Sequence, residues 1–281
     1  MTPTTVLTIA GSDSGGGAGI QADLKVFAAL GTFGTSVITA VTAQNTREVR
    51  DVHPVPARMV AAQLDAVLDD LPVRGVKTGM LGSARIAATV AARARAGLLP
   101  NLVVDPVLVS TSGHRLGVVA AVERLLPYAT VTTPNREEAA ALVGRPVRDP
   151  DEMAAAAEQL AAGGPRYVVV TGGDGATGGP AGAKDASGGP AGGDAASGEV
   201  VDAFWTGTDV VLLRGPRIPT RNTHGTGCSL SAAIAARLAL GDAVVDAVRF
   251  AREYVRRALA ASRRWRLGAG HGPLNHFPDT P

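Results

Sequence analysis

The segment Asn222-Thr223-His224-Gly225-Thr226-Gly227-Cys228-Ser229-Leu230 places two glycines and the only cysteine of the chain where a long Ala-rich helix begins. Free N–H groups and the positive end of a helix dipole make such a start an anion site, suited to charge developing on a transferring phosphoryl group. The same field lowers a thiol's pKa, so Cys228 is a candidate base toward a substrate hydroxyl. A small buried core cysteine is the alternative reading.

Other chemistry-bearing residues follow short apolar runs. Asn135 and Glu138 form N-x-x-E after a proline, the pattern of a capping box and also of a pair able to hold Mg²⁺ and its waters beside nucleotide phosphates. Asp105, ending a buried run, offers a second carboxylate. Gln44 carries the donor and acceptor that an aminopyrimidine edge requires, or caps a turn. Met80 packs over a flat ring or fills the core. In the loop 11–19, Gly17, Gly19 and Ala22 fit G-x-G-x-x-A, but Gln44 and Asn45 stand where the acid of a dinucleotide site is expected. No Gly-Lys-Ser/Thr completes a P-loop. That loop is then a tight turn, or one that lets backbone approach a small ligand closely.

The elements that must position these residues are short Val/Ile-rich strands alternating with Ala-rich amphipathic helices, an α/β pattern with a mainly parallel sheet covered on both faces. Strands are predicted at Thr5–Ala10, Thr35–Val41, Glu48–Pro54, Gly75–Thr78, Asn101–Asp105, Val131–Thr133 and Tyr167–Thr171, with a hairpin over Val200–Leu213 turning at Thr206-Gly207-Thr208. Helices are predicted at Gly19–Leu30, Pro56–Asp70, Ser83–Gly97, Arg136–Val143, Pro150–Ala162, Gly227–Leu240 and Asp242–Arg266. Ligands in open α/β sheets collect at the carboxyl ends of strands, where Gly11–Gly19, Gln44-Asn45, Lys77–Met80, Asp105-Pro106, Pro134-Asn135 and Thr171–Asp174 all fall. The stretch 172–199, nearly all Gly, Ala, Asp, Ser and Pro, lacks an apolar period and reads as a mobile loop within one domain spanning 1–281.

Composition narrows the function class. With 46% hydrophobic and 19% charged residues the chain has material for a large core. A net charge of +2 and 4% aromatics argue against a nucleic-acid surface, and the arginines near 256–266 read as a solvated helix face. A single cysteine excludes an internal disulfide. No run is long and apolar enough to span a bilayer, and the first ten residues lack a basic n-region, so a cytoplasmic protein is expected.

Taken in order, Gly11–Lys25, Val37–Thr46, Lys77–Leu81, Asp105–Val107, Thr133–Asn135 with Glu138-Ala139, Asn222–Ser229 and Gly270–Pro273 with His276-Phe277 resemble the blocks of the hydroxymethylpyrimidine kinase/phosphomethylpyrimidine kinase family. The resemblance implies a ribokinase-like fold, a homodimer, and two successive phosphorylations of 4-amino-5-hydroxymethyl-2-methylpyrimidine from Mg-ATP, toward thiamine. It implies that Gln44 recognises the pyrimidine, with Gly11, Met80 and Val107 shaping the pocket. Cys228 is then the base, Gly225, Thr226 and Gly227 the anion hole, and Asp105, Asn135 and Glu138 face the Mg-ATP phosphates, Asp105 and Glu138 as metal ligands. Thr171 and Gly173 fall on the nucleotide side.

Two departures stand out from that family pattern. Thr171 replaces the lysine of Lys-Gly-Gly-His, and Thr111 stands where a lysine commonly precedes Ser-Gly. The rival readings are a pyridoxal kinase, whose ring also bears a hydroxymethyl group, and a non-catalytic pyrimidine-binding protein. Ser110, where dual-activity members tend to carry cysteine, argues against the first. Cys228 in its glycine frame argues against the second.

Overall fold

The run Val6-Leu7-Thr8-Ile9-Ala10 is apolar on both sides of its pleat, and it forms the core of a central strand, β1 (Thr5–Asp13), with every residue except Ser12 buried. In the computed structural model, which describes residues 2–108, 119–173 and 198–279, β1 lies between β2 (Phe33–Gln44) and β4 (Val73–Thr78), parallel to both. The sheet continues through β5 (Leu102–Val104), β6 (Val131–Thr132) and β7 (Tyr167–Val170), all parallel. Antiparallel strands close the two edges: β3 (Val49–Pro54) on β2, and the hairpin β8 (Glu199–Trp205) and β9 (Val210–Pro216) on β7. The strand order is β3-β2-β1-β4-β5-β6-β7-β8-β9.

Helices α2 (Ala57–Asp70), α3 (Ala84–Arg95), α4 (Val119–Glu123), α5 (Arg136–Val143) and α6 (Pro150–Ala162) cover one face, where Leu7, Ile9, Leu102, Val104, Val168 and Val170 point. The other face packs Val6, Val103 and Val169 against α1 (Gly19–Ala29), α7 (Thr226–Leu240) and α8 (Val244–Ser262). Alternate residues of one strand thus feed two separate cores, which explains why these strands read as unbroken apolar runs. Because β1 connects to β2 on one side while β4 lies on its other, the chain reverses direction across the sheet there, and the carboxyl ends of β1 and β4 open a crevice.

Several boundaries differ from the sequence expectations. β1 runs past Gly11 to Asp13, because its register against β2 shifts between Ala10 and Ser12 and pairing resumes beyond the irregularity. β2 likewise extends to Gln44. Helix α8 stops at Ser262, so Arg263–Arg266 lie beyond it rather than within it; Asn222 Nδ2 donates to the carbonyls of Ser262 and Trp265 there and takes the place of further helical turns. The short helix α4 and a 3-10 turn at Leu126–Tyr128 were not expected, since neither is long enough to show a period. Residues Ser110, Thr111 and 174–197 of the expected loop lie outside the described residues.

Candidate active site

The ends of β2, β1, β4, β5, β6 and β7 set Gln44, Gly11, Met80, Asp105 with Val107, Asn135 with Glu138, and Thr171 in a row along one edge of the sheet, Gly11 two residues before the end of β1 and the others at or past their strands. Gly11 and Met80 touch: a Cβ on Gly11 would lie 2.4 Å from Met80 Cε, and the Met80 carbonyl is fixed by Thr39 Oγ1 at 2.6 Å. Asn135 and Thr171 form a parallel bridge, and the Thr171 N–H donates to the Pro134 carbonyl at 2.8 Å. The Gly173 carbonyl accepts from Arg217. Thr171 therefore continues the row as backbone, without the charge of a lysine.

Glu138 completes a capping box. Asn135 Oδ1 accepts the Glu138 N–H at 2.9 Å, Glu138 Oε2 accepts the Asn135 N–H at 3.0 Å, and Oε1 accepts from Leu108 N–H at 3.3 Å. The capping role is thus realised.

The buried charges lie beneath Cys228. Lys77 Nζ donates to both oxygens of Asp23 at 3.0 Å and stands 3.7 Å from Asp105 Oδ2; Lys77 and Asp23 are wholly buried. Thr8 Oγ1 donates to Asp23 at 2.6 Å and Ser231 Oγ to Asp105 at 3.1 Å. Burial works against the Lys77 charge, but Asp23, the Cys228 thiolate form and Asp105 push its pKa above the ordinary lysine value. Burial also pushes both carboxyls up, and Lys77 opposes that rise. Sequence reasoning assigned no role to Lys77 or Asp23.

Cys228 is half-buried in the first turn of α7 and accepts a hydrogen bond from the Gly19 N–H. The expectation of a lowered thiol pKa is corrected here. Burial pushes it up to about 12; Lys77 pulls it down, while Asp105 and Asp23 push it up again. Desolvation and the two carboxylates outweigh the pull of Lys77 and the Gly19 N–H. Among the anion-hole candidates, the Thr226 N–H is turned onto the Thr223 carbonyl at 3.2 Å, whereas the N–H groups of Gly227 and Cys228 have no acceptor among the described residues. Gly225 caps the helix at φ 88°, and a Cβ there would lie 1.9 Å from the Gly17 carbonyl oxygen, so only glycine lets the two glycine loops meet.

Asp13 and His224 hold those loops together; both stand in segments that the sequence singles out, but sequence reasoning gave neither a role. Asp13 Oδ1 accepts the Gly15 N–H, and Oδ2 accepts the N–H groups of Gly17 and Ala18 and lies 2.9 Å from His224 Nε2. Burial opposes ionisation, but the hydrogen bond and charge of His224 with the Ala18 and Gly15 N–H groups hold Asp13 below the usual carboxylate range. The His224 N–H donates to the Gly272 carbonyl, tying in the C-terminal segment.

In that segment His276 is buried, and Tyr254 Oη donates to its carbonyl. Burial pushes the imidazole down to about 4, helped by the charges of Lys25 and His224. The unfolded chain binds this proton near pH 6.5 and the folded chain only near 4, so the contribution to stability is complete above 6.5 and is lost as the pH falls between these values. The full span is worth about 3 kcal/mol. Urea unfolding at pH 7 and pH 4.5 is expected to show a steeper acid loss for the native chain than for His276→Leu; parallel losses would remove His276 from the acid limb.

The chain matches the family described as phosphomethylpyrimidine kinase over residues 13–275. It belongs to that family. The hydroxymethylpyrimidine/phosphomethylpyrimidine kinase of Rhizobium meliloti is 47% identical over 96% of this chain and 96% of its own. Two solved structures are similar. The Bacillus subtilis pyridoxal kinase, in an ADP complex, is 34% identical with a TM-score of 0.83 over 98% of each chain. The Clostridium difficile phosphomethylpyrimidine kinase is 37% identical with a TM-score of 0.71, over 91% of this chain and 99% of that one. This phosphomethylpyrimidine kinase family member therefore has the ribokinase-like α/β fold expected from its sequence, and its place is among the kinases of thiamine biosynthesis, as in the 44% identical thiamine biosynthesis bifunctional protein of Geobacter sulfurreducens, of which it spans 52%. Backbone likeness extends to pyridoxal kinases, while the family model and the 47% identical relative carry the phosphomethylpyrimidine kinase description. Among the described residues, no helix is long and apolar enough to cross a membrane.

Proposed function

We propose that this enzyme phosphorylates 4-amino-5-hydroxymethyl-2-methylpyrimidine and then its monophosphate, with Gln44, Gly11, Met80 and Val107 forming the ring pocket and Cys228 receiving the hydroxyl proton. The observation that carries the reading is the start of α7. Cys228 shares one helical turn with two N–H groups that have no acceptor among the described residues, and it lies over a buried, charged network. A group attacking from a hydroxymethyl oxygen there would have a proton acceptor on one side and, on the other, N–H dipoles aimed at the growing phosphoryl charge.

With its pKa pushed up, the thiol rests protonated at neutral pH, so it cannot remove the substrate proton ahead of reaction. To act as base the thiol must first pass its own proton to the Asp105 carboxylate that it hydrogen-bonds; the thiolate so formed, held by Lys77 and the Gly19 N–H, then takes the hydroxyl proton. Gly225 acts by shape, since its close approach to Gly17 fixes where the N–H groups of Gly227 and Cys228 point.

ATP is the proposed donor, with Asn135, Glu138, Thr171 and Gly173 on its side of the site. Asp105 and Glu138 follow adjacent parallel strands, and two carboxylates are a donor set that suits Mg²⁺ completed by water and phosphate. Such an ion would neutralise charge on the transferring group. One continuous sheet supports a single domain spanning the chain. The homodimer and the cytoplasmic setting rest on the family resemblance and on the single cysteine.

Measuring ADP release with the aminopyrimidine and with pyridoxal tests the substrate. At least a tenfold higher kcat/KM for the aminopyrimidine is expected, and faster turnover of pyridoxal would overturn the assignment.

A further inference from the structure

Gln44 ends β2 half-buried, with both main-chain groups bonded to Ser14 Oγ and its side-chain amide between Thr42 and His224. With its amide nitrogen toward His224, Gln44 has Nε2 3.3 Å from His224 Nε2 and Oε1 3.3 Å from Thr42 Oγ1. Proton counting rejects both contacts in that sense. Thr42 has one hydroxyl proton, and at 2.9 Å it is directed to the Ser12 carbonyl, so only lone pairs face Gln44. His224 Nε2 stands 2.9 Å from Asp13 Oδ2, and an ionised carboxylate only accepts. That nitrogen therefore carries its proton and has no lone pair for an amide N–H. Turning the amide by half a revolution keeps its shape and converts both contacts into hydrogen bonds: Oε1 shares the His224 N–H with Asp13, and Nε2 donates to Thr42 Oγ1.

We propose that His224, anchored by Asp13, acts with Thr42 to fix the direction of the Gln44 amide, and that these two are the positioning residues that decide which way round the heterocycle sits. The proposal rests on the reading of Gln44 as the ring's partner. In the fixed sense Nε2 has one proton left and Oε1 one lone pair. An aminopyrimidine has an acceptor ring nitrogen beside a donor amino group, so it can pair with both. Its hydroxymethyl group is on the carbon at the amino group's other side. Reversing the amide would reverse the ring and carry the hydroxymethyl group away from the side where it belongs. The interaction of Gln44 with the ring then supplies orientation as well as affinity, and the orientation comes from residues that do not touch the substrate.

Neutron diffraction from the perdeuterated full-length enzyme, without substrate, reads the arrangement directly. Two deuterons on the Gln44 atom facing Thr42 and one on His224 Nε2 are expected; two deuterons on the atom facing His224, or a bare Nε2, overturn the proposal. This readout is independent of catalysis, so a wild-type enzyme that preferred pyridoxal would sink the substrate assignment and leave the amide direction standing. Kinetics give the consequence. In His224→Leu, kcat/KM for the aminopyrimidine relative to pyridoxal is expected to fall about tenfold, roughly 1.4 kcal/mol. His224→Gln, whose side-chain N–H can replace the imidazole donor, should recover most of it. An unchanged ratio in a folded His224→Leu enzyme overturns the specificity role.

Discussion

Replacing Cys228 by alanine is expected to lower kcat by about 10²- to 10⁴-fold, the range that general-base groups contribute, while leaving the dissociation constant for the aminopyrimidine within about threefold. The split follows from placement. Cys228 is on α7, whereas the proposed ring pocket is built from the ends of β2, β1, β4 and β5, and Gln44 has its own anchors in Ser14, Thr42 and His224. Removing a half-buried sulfur leaves Asp105 still bonded to Ser231 and near Lys77, so the network keeps its charges. Stopped-time assays of ADP release, paired with calorimetric titration of the pyrimidine, separate the two effects. Turnover within threefold of the native rate would take Cys228 out of the mechanism. A parallel loss of binding would make it a pocket residue instead.

The second large effect belongs to Lys77. Replacing it by methionine retains the length of the side chain but leaves Asp23 without its cation and Asp105 without its neighbouring positive charge. Breaking a buried ion pair from one side typically costs about 3–5 kcal/mol, because the remaining charge has neither partner nor water. Urea unfolding of Lys77→Met should therefore lie well below the native chain, and pairing it with Asp23→Asn should return part of the loss by removing one orphaned carboxylate. A single-substitution cost under about 1 kcal/mol would mean that water reaches the network, against the full burial of Lys77 and Asp23.

The fold was legible in the sequence because its strands are buried on two faces. Runs such as Val6–Ala10 and Tyr167–Val170 need no alternation when helices cover both sides. Helices α5 and α6 were legible to the residue, since Asn135 and Asp149 cap them and Gly144 ends the first in a left-handed turn. The row of strand-end residues could be found for the same reason. What stayed hidden is long-range. Lys77 reads as an ordinary polar position in a short strand, and only the fold brings Asp23, 54 residues away, beneath it. Asp13 and His224 are 211 residues apart, and neither sits in a local pattern that calls for the other. The thiol pKa was misjudged for a related reason: a helix terminus is visible in sequence, but the desolvation and the two carboxylates that raise the pKa are not.

The interlocking of Gly17 with Gly225 has a consequence in time. Gly17 is made early in synthesis and Gly225 late, and the same is true of Asp13 with His224 and of Thr46 with Gly270. Closing loops of some 200 residues is entropically slow relative to local pairing, so these contacts are expected to form after the sheet has assembled from neighbouring strands. A nascent chain still lacking α7 can order β1, β2 and β4 but cannot lock its pocket. The kinase site would thus be among the last parts of the molecule to mature, and its completion is a report that both ends of the chain have docked.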